Sequence, residues 1–467
     1  MAIIISSSMS DSGKSLVTSA LVRHFRGIPF KAQNMSLNSY PTHDGGEIAF
    51  IQAFQAMGSG LQPERFMNPI LLKPSGKGIE VIFWGESQGN FSPNEYYSRL
   101  TTYWEKIRPS VREDMVVESA GGLGEPNFME RDITGFKLMQ EGIQAILVLD
   151  IDRGGAFASA FGIYQMLPSS VRDKLRGFII NKFRGDEKLL EPAISWLESK
   201  TSMKYLGIIP YDDRLRIMAE DSMNVSDLGD GELEVDVVAY PYMSNFNEFH
   251  VFEKSNARLR FVTRPSHLSK ADLIILPGTR NTKLSLSWLV ERGFTEVLRR
   301  KPVLGVCGGF QIMGKTLHDP YGLEAGEPSS YEGLNLLPIN VRFRRNKVVS
   351  LSLGESEYGL IRGYEIRRGE IEYIEGKPLL LITKRNHEHV EIYDGSRNGR
   401  HVGLSVHGSL FSEGGKRILE DFGIKLRAGS IEEEISTSVD KVYQLLRDTL
   451  DLDIIEQIYM DSMVKHA

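Results

Sequence analysis

Cys307 is the only cysteine of the 467-residue sequence, and its setting is typical of a catalytic nucleophile. It stands in Gly-Val-Cys-Gly-Gly at 305–309, between an apolar run and a segment with a helical pattern. Small neighbours permit the sharp turn that presents a side chain above a sheet, as in the serine elbow G-x-S-x-G. A buried structural cysteine is the alternative, but glycines on both sides favour a nucleophile.

A thiol nucleophile needs a base and donors for an oxyanion, and three other residues are candidates. His407 follows a strand-like segment and is the histidine with the clearest position at a strand end. Gly278 follows another apolar run, so its amide and that of Gly308 could form an oxyanion hole. His387 and His389 could form a metal pair, but no third ligand is apparent and surface histidines are the preferred interpretation.

A second candidate centre lies near the N-terminus. Ser-Asp-Ser-Gly-Lys-Ser at 10–15 separates the apolar run 2–5 from a helical pattern. Backbone amides and the helix N-terminus would face an anion there, Lys14 could neutralise phosphate oxygens and the Ser15 hydroxyl could bind Mg²⁺. Ser8 stands where the pattern G-x-x-x-x-G-K-[ST] has its first glycine. A polar loop is the alternative, but the position directly after an apolar run favours nucleotide binding.

Polar side chains also follow other apolar runs of this half. Glu118 and Asn181 each end such a run, and Asp44 and Glu47 flank a Gly-Gly pair. Because the carboxyl ends of parallel strands line one crevice, Glu118 would lie near the phosphates and bind Mg²⁺, together with Asp44 or Glu47. Solvated loop acids are the alternative. Asn181 could pair with the adenine edge or form a turn, and both interpretations stay open.

These residues need a scaffold that brings strand ends together. Short apolar runs recur along the chain, each ending in a glycine-rich or polar turn and usually leading into a helical pattern. This rhythm is typical of a parallel sheet covered on both faces. A second series of such runs begins near residue 235. The sequence therefore predicts an α/β fold with two domains, an N-terminal P-loop parallel-sheet domain and a C-terminal α/β domain.

An acidic, glycine-containing stretch without apolar periodicity, at 221–234, marks the predicted boundary. Three glutamates begin the last segment, which suits the positive end of a helix dipole, and we interpret it as a structural cap. The predicted divisions are a nucleotide-binding domain at 1–225, a linker at 226–234, a second domain at 235–430 and a C-terminal helical segment at 431–467.

Composition limits the class of partner. Hydrophobic residues make up 41% of the sequence and charged residues 25%, as in ordinary globular proteins. The net charge is −6 with both signs interspersed, so we expect no nucleic-acid partner. No apolar run has the length of a membrane span, and the start lacks signal-peptide features, so we expect a cytoplasmic protein without membrane contact. A homo-oligomer is compatible with the sequence.

Longer strings of the sequence resemble known families. The second half is similar to class I, triad-type glutamine amidotransferases of the cobalamin pathway, through residues 276–282, 305–311 and 406–411. The first half resembles the dethiobiotin-synthetase-like ATPases. More narrowly, 29–39 and 177–185 are similar, nearly word for word, to the cobyric acid synthase family. The resemblance runs from residue 3 to about residue 450.

This resemblance implies amidation of the b, d, e and g carboxylates of the corrinoid adenosylcobyrinic acid a,c-diamide, with ATP as energy source and glutamine as nitrogen donor. It implies that Cys307 is the nucleophile for glutamine and His407 its base. The ATP-binding residues expected are Gly13, Lys14, Ser15, Lys31 and Asn181. The metal ligands expected are Ser15, Asp44, Glu47 and Glu118.

Three positions depart from the family pattern or from related families. Ser7 stands where the family's loop usually has glycine, and Arg367 replaces a usual histidine. Ser409 stands where many class I amidotransferases have the triad glutamate, an absence that the cobalamin-pathway members share. Two alternatives to the implied function are the sister enzyme cobyrinic acid a,c-diamide synthase and a non-enzymatic P-loop switch with an inactive amidotransferase-like domain. An intact Cys307 and His407 speak against the switch.

Overall fold

The computed structural model describes residues 1–75, 78–127, 129–212, 227–324 and 326–462. In its N-terminal half, helices are interspersed among the strands. The strands are β1 (Ile3–Ser7), β2 (Ile28–Phe30), β3 (Gln33–Met35), β4 (Ser39–Pro41), β5 (Glu47–Ala49), β6 (Ile70–Pro74), β7 (Ile79–Phe83), β8 (Glu86–Phe91), β9 (Met115–Glu118), β10 (Gln144–Asp150), β11 (Leu175–Phe183) and β12 (Lys204–Pro210). The helices are α1 (Lys14–Phe25), α2 (Phe50–Gly58), α3 (Pro93–Ser98), α4 (Leu100–Ile107), α5 (Phe136–Gln140), α6 (Ala156–Met166), α7 (Ser169–Arg172) and α8 (Glu191–Lys200).

The main sheet of this half has the order β12-β11-β10-β1-β9-β2, and every neighbouring pair is parallel. Every residue of β1 is buried, as expected for a central strand of a parallel sheet that begins with three isoleucines. Ile5 of β1 pairs with Glu118 at the end of β9. This register places the Glu118 carboxylate beside the strand from which the predicted phosphate loop starts. Smaller sheets, β3-β6-β7-β8 and β4-β5, lie outside the main one.

The C-terminal half contains a second parallel sheet and an antiparallel one. Its strands are β13 (Leu233–Val238), β14 (Ala257–Val262), β15 (Leu273–Leu276), β16 (Val303–Val306), β17 (Thr316–Asp319), β18 (Ser329–Glu332), β19 (Ile339–Ser356), β20 (Gly359–Tyr373), β21 (Leu380–Arg385), β22 (Glu388–Asp394), β23 (Ser396–Asn398) and β24 (His401–Leu404). Its helices are α9 (Thr282–Glu291), α10 (Thr295–Arg300), α11 (Gly308–Ile312) and α12 (Glu413–Glu420).

The order of the second parallel sheet is β14-β13-β15-β16-β24-β23, in which only the last pair is antiparallel among the described residues. The other sheet has the order β18-β17-β19-β21-β22, with β20 paired to β19 in a long hairpin. The two-domain α/β prediction is confirmed. The long hairpin was not predicted from the apolar runs, and it contributes residues to the contact between the domains.

Part of the predicted linker, 226–234, pairs with strands of the C-terminal half. Strand β13 begins at Leu233, and Leu228 already pairs with Leu259 of β14. Residues 227–234 therefore contact the second domain. The predicted boundary between 225 and 226 lies outside the described residues.

The C-terminal segment returns to the N-terminal domain. It forms α13 (Ile431–Thr449) and α14 (Leu452–Met460), while residues 463–467 lie outside the described part. Val442, Leu446 and Ile455 share one apolar core with Ile3 and Val17 of β1 and α1. The segment predicted as a cap therefore completes the core of the first domain. No helix in the described ranges has both the length and the apolar character needed to cross a membrane.

Candidate active sites

Cys307 lies on a sharp turn between β16 and α11, with backbone angles φ 50° and ψ −109°. This conformation is unfavourable for a residue with a side chain, and such strain is concentrated at functional sites. The following glycines are required sterically, because a Cβ at Gly309 would lie 2.0 Å from the carbonyl oxygen of Leu276. The geometry is that of a nucleophile elbow, as the glycine pattern predicted.

The imidazole of His407 faces this turn and is itself held by a carboxylate. Its Nδ1 lies 2.7 Å from Oε1 of Glu248, and the other oxygen of Glu248 accepts the backbone N–H of Gly408 at 3.0 Å. Nε2 of His407 is buried without a partner of good hydrogen-bond geometry within the described residues. Because Nδ1 contacts the carboxylate, Nε2 is the nitrogen left to exchange protons with Cys307 and its substrate.

Electrostatics favour a protonated imidazole. Burial alone lowers the pKa of His407, but the negative charges of Cys307 and Glu248 raise that pKa to about 10. The ring also stacks on Tyr364, with centroids 5.3 Å apart. At neutral pH the imidazolium can therefore give a proton to a leaving amine.

Glu248 is the functional residue that the sequence interpretation missed. Ser409 stands where many class I amidotransferases have the triad glutamate, and the sequence named no other acid for His407; the structure supplies one from the 3₁₀ helix Phe246–Lys254. Glu248 is 1% exposed and lies between Phe246 and Phe249, which are also buried. An acidic residue flanked by buried aromatic residues is the sequence signal that could have identified it.

The loop after β15 closes the other side of this centre. A Cβ at Gly278 would lie 2.6 Å from Cε1 of His407, so this position tolerates only glycine. A Cβ at Gly308 would lie 2.8 Å from the backbone nitrogen of Thr279, so the two predicted oxyanion loops are in contact. The predicted oxyanion residues Gly278 and Gly308 are thus brought to the thiol and the imidazole.

Arg367, the replacement for a usual histidine, is buried on β20 near the thiol. Its guanidinium pairs with Glu365 at 2.7 Å, and Cys307, Glu365 and Asp394 contribute to the electrostatic raising of its pKa against the effect of burial. Sγ of Cys307 lies 3.8 Å from the carbonyl oxygen of the neighbouring Ile366. Strand β20 therefore forms the wall of the thiol site.

The second candidate centre is the loop between β1 and α1. Gly13 has φ 97°, and a Cβ there would lie 2.1 Å from Nδ2 of Asn181, so glycine is required. Lys14 begins α1, and its Nζ donates a hydrogen bond to Oγ of Ser7 at 2.9 Å. A serine in place of the usual glycine at position 7 thus gives the lysine a partner inside the protein.

Glu118 organises the other side of this loop. Its Oε1 accepts hydrogen bonds from Ser15 Oγ at 3.0 Å and from Lys31 Nζ at 2.9 Å, and its Oε2 accepts one from Gln55 at 2.7 Å. Burial raises the pKa of Glu118, but Lys31 and Lys14 lower it further than burial raises it. The structure therefore brings Ser15, Lys31 and Glu118 together as an ionised cluster.

Asn181 supports the phosphate loop instead of presenting its amide to a base. Its Nδ2 donates to the carbonyl oxygen of Ser12 at 2.7 Å, and its Oδ1 accepts the N–H of Lys182 at 2.8 Å. Both ends of the amide contact the backbone, which favours the turn interpretation, and pairing of Asn181 with the adenine edge stays a prediction.

Asp44 and Glu47 make their contacts elsewhere. Asp44 lies on a largely exposed turn and pairs with Arg65 at 2.7 Å. Glu47 is 1% exposed, and its two oxygens each contact a lysine at 2.5 Å, Lys73 and Lys347. These cations neutralise Glu47 in the structure, and the roles of Asp44 and Glu47 as metal ligands beside Ser15 and Glu118 stay predictions.

Ser15 and Glu118 fit a magnesium ion held jointly with a nucleotide. Hydroxyl and carboxylate oxygens are ligands that Mg²⁺ prefers, and Mg²⁺ commonly takes one or two protein ligands plus water and phosphate oxygens. Across the described ranges, no three His, Cys, Asp or Glu side chains form a metal-binding group. His387 and His389 are both exposed, as expected of surface histidines.

Two family models match this chain. Residues 3–225 match the CobQ/CobB/MinD/ParA nucleotide binding domain, and residues 234–415 match the CobB/CobQ-like glutamine amidotransferase domain. The first match contains the phosphate loop and Glu118. The second contains Glu248, Cys307 and His407.

Curated proteins named cobyric acid synthase are similar over nearly the whole length. The Streptomyces coelicolor protein is 38% identical, covering 89% of this chain and 86% of its own. The Clostridium tetani protein is 35% identical over 98% of both chains, and the Dehalococcoides mccartyi strain CBDB1 protein is 33% identical over 99% of both.

Proposed function

We propose, from the premise that this chain belongs to the cobyric acid synthase family, that it amidates the b, d, e and g carboxylates of adenosylcobyrinic acid a,c-diamide. The chain is a glutamine-hydrolysing ligase of cobalamin biosynthesis with a nucleotide-binding domain. The proposal adds the substrate, the four carboxylates and the residue roles. The observation that carries it is an assembled Cys307, His407 and Glu248 in the same chain as a separate phosphate loop.

In the glutaminase centre, the thiolate of Cys307 attacks the amide carbon of glutamine. The backbone amides of Gly278 and Gly308 stabilise the oxyanion that develops on the former carbonyl oxygen. His407, held by Glu248, donates its proton to the departing nitrogen, so ammonia leaves and a thioester remains. Water then hydrolyses the thioester, with His407 accepting a proton, and glutamate is released.

In the synthetase centre, a corrinoid carboxylate must be activated before it accepts ammonia. A free carboxylate is resonance-stabilised and would have to expel a poor leaving group. Transfer of the γ-phosphoryl group of ATP to a carboxylate oxygen gives an acyl phosphate and ADP. Lys14 and Lys31 neutralise the charge that develops during this transfer.

Ammonia then attacks the acyl carbon, and inorganic phosphate leaves with formation of the amide. Mg²⁺, held by Ser15 and Glu118, would supply positive charge at the phosphates. Gly13 allows the loop to approach the nucleotide, and Asn181 supports the loop from below. Four such cycles with four glutamines would complete the reaction.

The test is to incubate the protein with the a,c-diamide, ATP, Mg²⁺ and glutamine and to read product masses. We expect four successive carboxyl-to-amide conversions. In a parallel incubation with the unamidated acid in place of the a,c-diamide, a product carrying amides only at a and c would indicate the sister synthase. Glutamine turnover that Cys307→Ala abolishes would exclude the non-enzymatic switch. A cytoplasmic location and a homo-oligomeric state stay predictions.

A further inference from the structure

Buried and partly buried polar side chains connect the two domains, and we name them the junction network. Its members are Ser39, Glu47 and Glu80 from the N-terminal domain and Asn245, Arg280 and Lys347 from the C-terminal domain.

One half of the network begins at a backbone contact. The N–H of Ser39 donates to Oδ1 of Asn245 at 2.8 Å, across the domain boundary. The hydroxyl of Ser39 donates to Oε1 of Glu47, also at 2.8 Å. Ser39, Glu47 and Asn245 are each no more than 3% exposed, so water competes little for these contacts.

The other half consists of charge pairs. Nζ of Lys347 lies 2.5 Å from Glu47 and 3.5 Å from Glu80, and Nη2 of Arg280 lies 2.9 Å from Glu80. Burial raises the pKa of Glu80, but Lys347 and Arg280 hold it well below its usual range. Glu80 is therefore ionised at neutral pH, and its contact with Arg280 persists.

On the side of the C-terminal domain, the network contacts two loops of the glutaminase centre, 242–245 and 278–280. Arg280 follows Gly278 and Thr279, and Asn245 precedes Glu248 by three positions. Loops 242–245 and 278–280 bond to each other, through Ser244 N–H to Gly278 O and through Arg280 N–H to Tyr242 O, each at 2.9 Å. A displacement of one loop therefore moves the other.

On the side of the N-terminal domain, helix α2 connects the network to the residues around the phosphate loop. Glu47 lies three residues before this helix, and Gln55 within it donates to Oε2 of Glu118 at 2.7 Å. The opposite oxygen of Glu118 contacts Ser15 and Lys31. A nucleotide that draws Ser15 and Lys31 toward its phosphates would take them from Glu118. It would thereby change the contact between Glu118 and Gln55 of α2.

We propose that Arg280, held by Glu80, is a positioning residue for glutamine hydrolysis, and that the junction network makes its position depend on the synthetase domain. The dependence on ATP and corrinoid rests on the function proposed above. The positioning itself does not, because Arg280 lies one residue from Thr279, whose backbone nitrogen faces Gly308. The side chain acts through these backbone groups and does not touch the glutamine.

The test compares Glu80→Gln and Arg280→Gln, which remove the same ion pair from opposite sides, with the unaltered protein. We expect kcat for glutamine hydrolysis to fall about tenfold or more, with KM for glutamine little changed, because donors aligned with the oxyanion act mainly in the transition state. Arg280→Lys should recover part of the loss. The factor by which ATP and corrinoid increase the rate of glutamate release should fall toward one in both variants.

The control variant is Glu372→Gln, which removes an exposed ion pair with Arg342 on the same β19–β20 hairpin and should change neither activity. Amidation with ammonium chloride, which bypasses the glutaminase centre, checks that each variant is folded. Unaltered glutaminase kcat in both ion-pair variants would overturn the positioning role. Equal loss of glutamine-dependent and ammonia-dependent amidation would also overturn it, since that result indicates general destabilisation.

If ATP and corrinoid did not stimulate glutamate release by the unaltered protein, the proposed dependence of the Arg280 position on the synthetase domain would be overturned. Failure of the unaltered protein to amidate the corrinoid with ammonia would instead refute the proposed function. Glutamate release without corrinoid would still decide the positioning role.

Discussion

The two centres differ in how their charged groups are held before any substrate arrives. In the glutaminase centre, His407 already contacts Glu248 and faces Cys307, so the groups proposed to act on glutamine are in place. In the phosphate loop, Lys31 pairs with Glu118 and Lys14 donates to Ser7. The first centre is preorganised, whereas the second must exchange internal partners for a nucleotide.

This difference follows from the chemistry of each step. An oxyanion and a leaving amine appear only transiently, so their stabilising groups are most effective when fixed in advance. A triphosphate is a stable anion that brings its own negative charge. Two buried lysines without a negative partner would destabilise the nucleotide-free protein, so Glu118 holds the place of that charge. The predictions below test this contrast, beginning with the largest effect.

Cys307→Ala should abolish glutamine hydrolysis, by about a millionfold on the scale seen when a catalytic nucleophile is removed. Amidation supported by ammonium chloride should be unchanged, because the phosphate loop does not use the thiol. Glutamate release and amide formation are measured in parallel. Loss of the ammonia-dependent reaction as well would show that the two centres are not chemically separate.

Glu248→Gln should lower kcat for glutamine hydrolysis by up to about ten-thousandfold, because the imidazole loses the charge and the acceptor that orient it. Glu248 helps raise the pKa of His407 to about 10, so its removal lowers that pKa. The alkaline limb of the pH profile of kcat/KM should therefore move to lower pH. An unshifted limb would mean that Glu248 does not act on the imidazole.

The contrast between the centres also explains what the sequence could reveal. The phosphate loop at 10–15 and the elbow around Cys307 are each formed by one short, continuous stretch of sequence. A local pattern can therefore predict each of them. Glu248 lies 59 residues before Cys307 and 159 before His407, and only the folded chain brings it to the imidazole. A local pattern carries no information about that pairing.

The predicted metal ligands Asp44 and Glu47 show a second limit of the sequence pattern. Asp44 and Glu47 flank two glycines, which is equally typical of a metal loop, a solvated turn or a domain contact. Lys347, which pairs with Glu47 in the structure, is 300 residues away on a hairpin that the apolar runs did not predict. The sequence pattern around Glu47 therefore could not reveal that its carboxylate pairs with a lysine so distant in the chain.

Lys14→Met should lower ATP-dependent amidation by about a hundredfold to a thousandfold, the range found when one charge-stabilising donor is removed. Basal glutamine hydrolysis without ATP should be unchanged, since Lys14 begins α1 of the N-terminal domain, whereas Cys307 lies between β16 and α11 of the C-terminal domain. ATP hydrolysis with corrinoid and glutamate release without ATP provide the two measurements. A parallel fall in basal glutaminase would contradict the separation.

The smallest effect should come from Ser430→Ala, which removes the capping box at the start of α13. Ser430 accepts the N–H of Glu433, and the Glu433 carboxylate accepts the N–H of Ser430. We expect unfolding free energy to fall by about 1 kcal/mol, measured by urea denaturation. Thr437→Ala, at an exposed position within the same helix, is the control and should cost nothing.

Helix α13 packs on α1 and α2 of the synthetase domain, and its Ile435 and Val439 share a core with Tyr364 beside His407. A purely structural weakening there acts on both domains at once. The ratio of glutamate released to amide formed should therefore be the same for Ser430→Ala and the unaltered protein at temperatures where both are folded. A changed ratio would mean that α13 itself takes part in coupling the preorganised centre to the one that exchanges its partners.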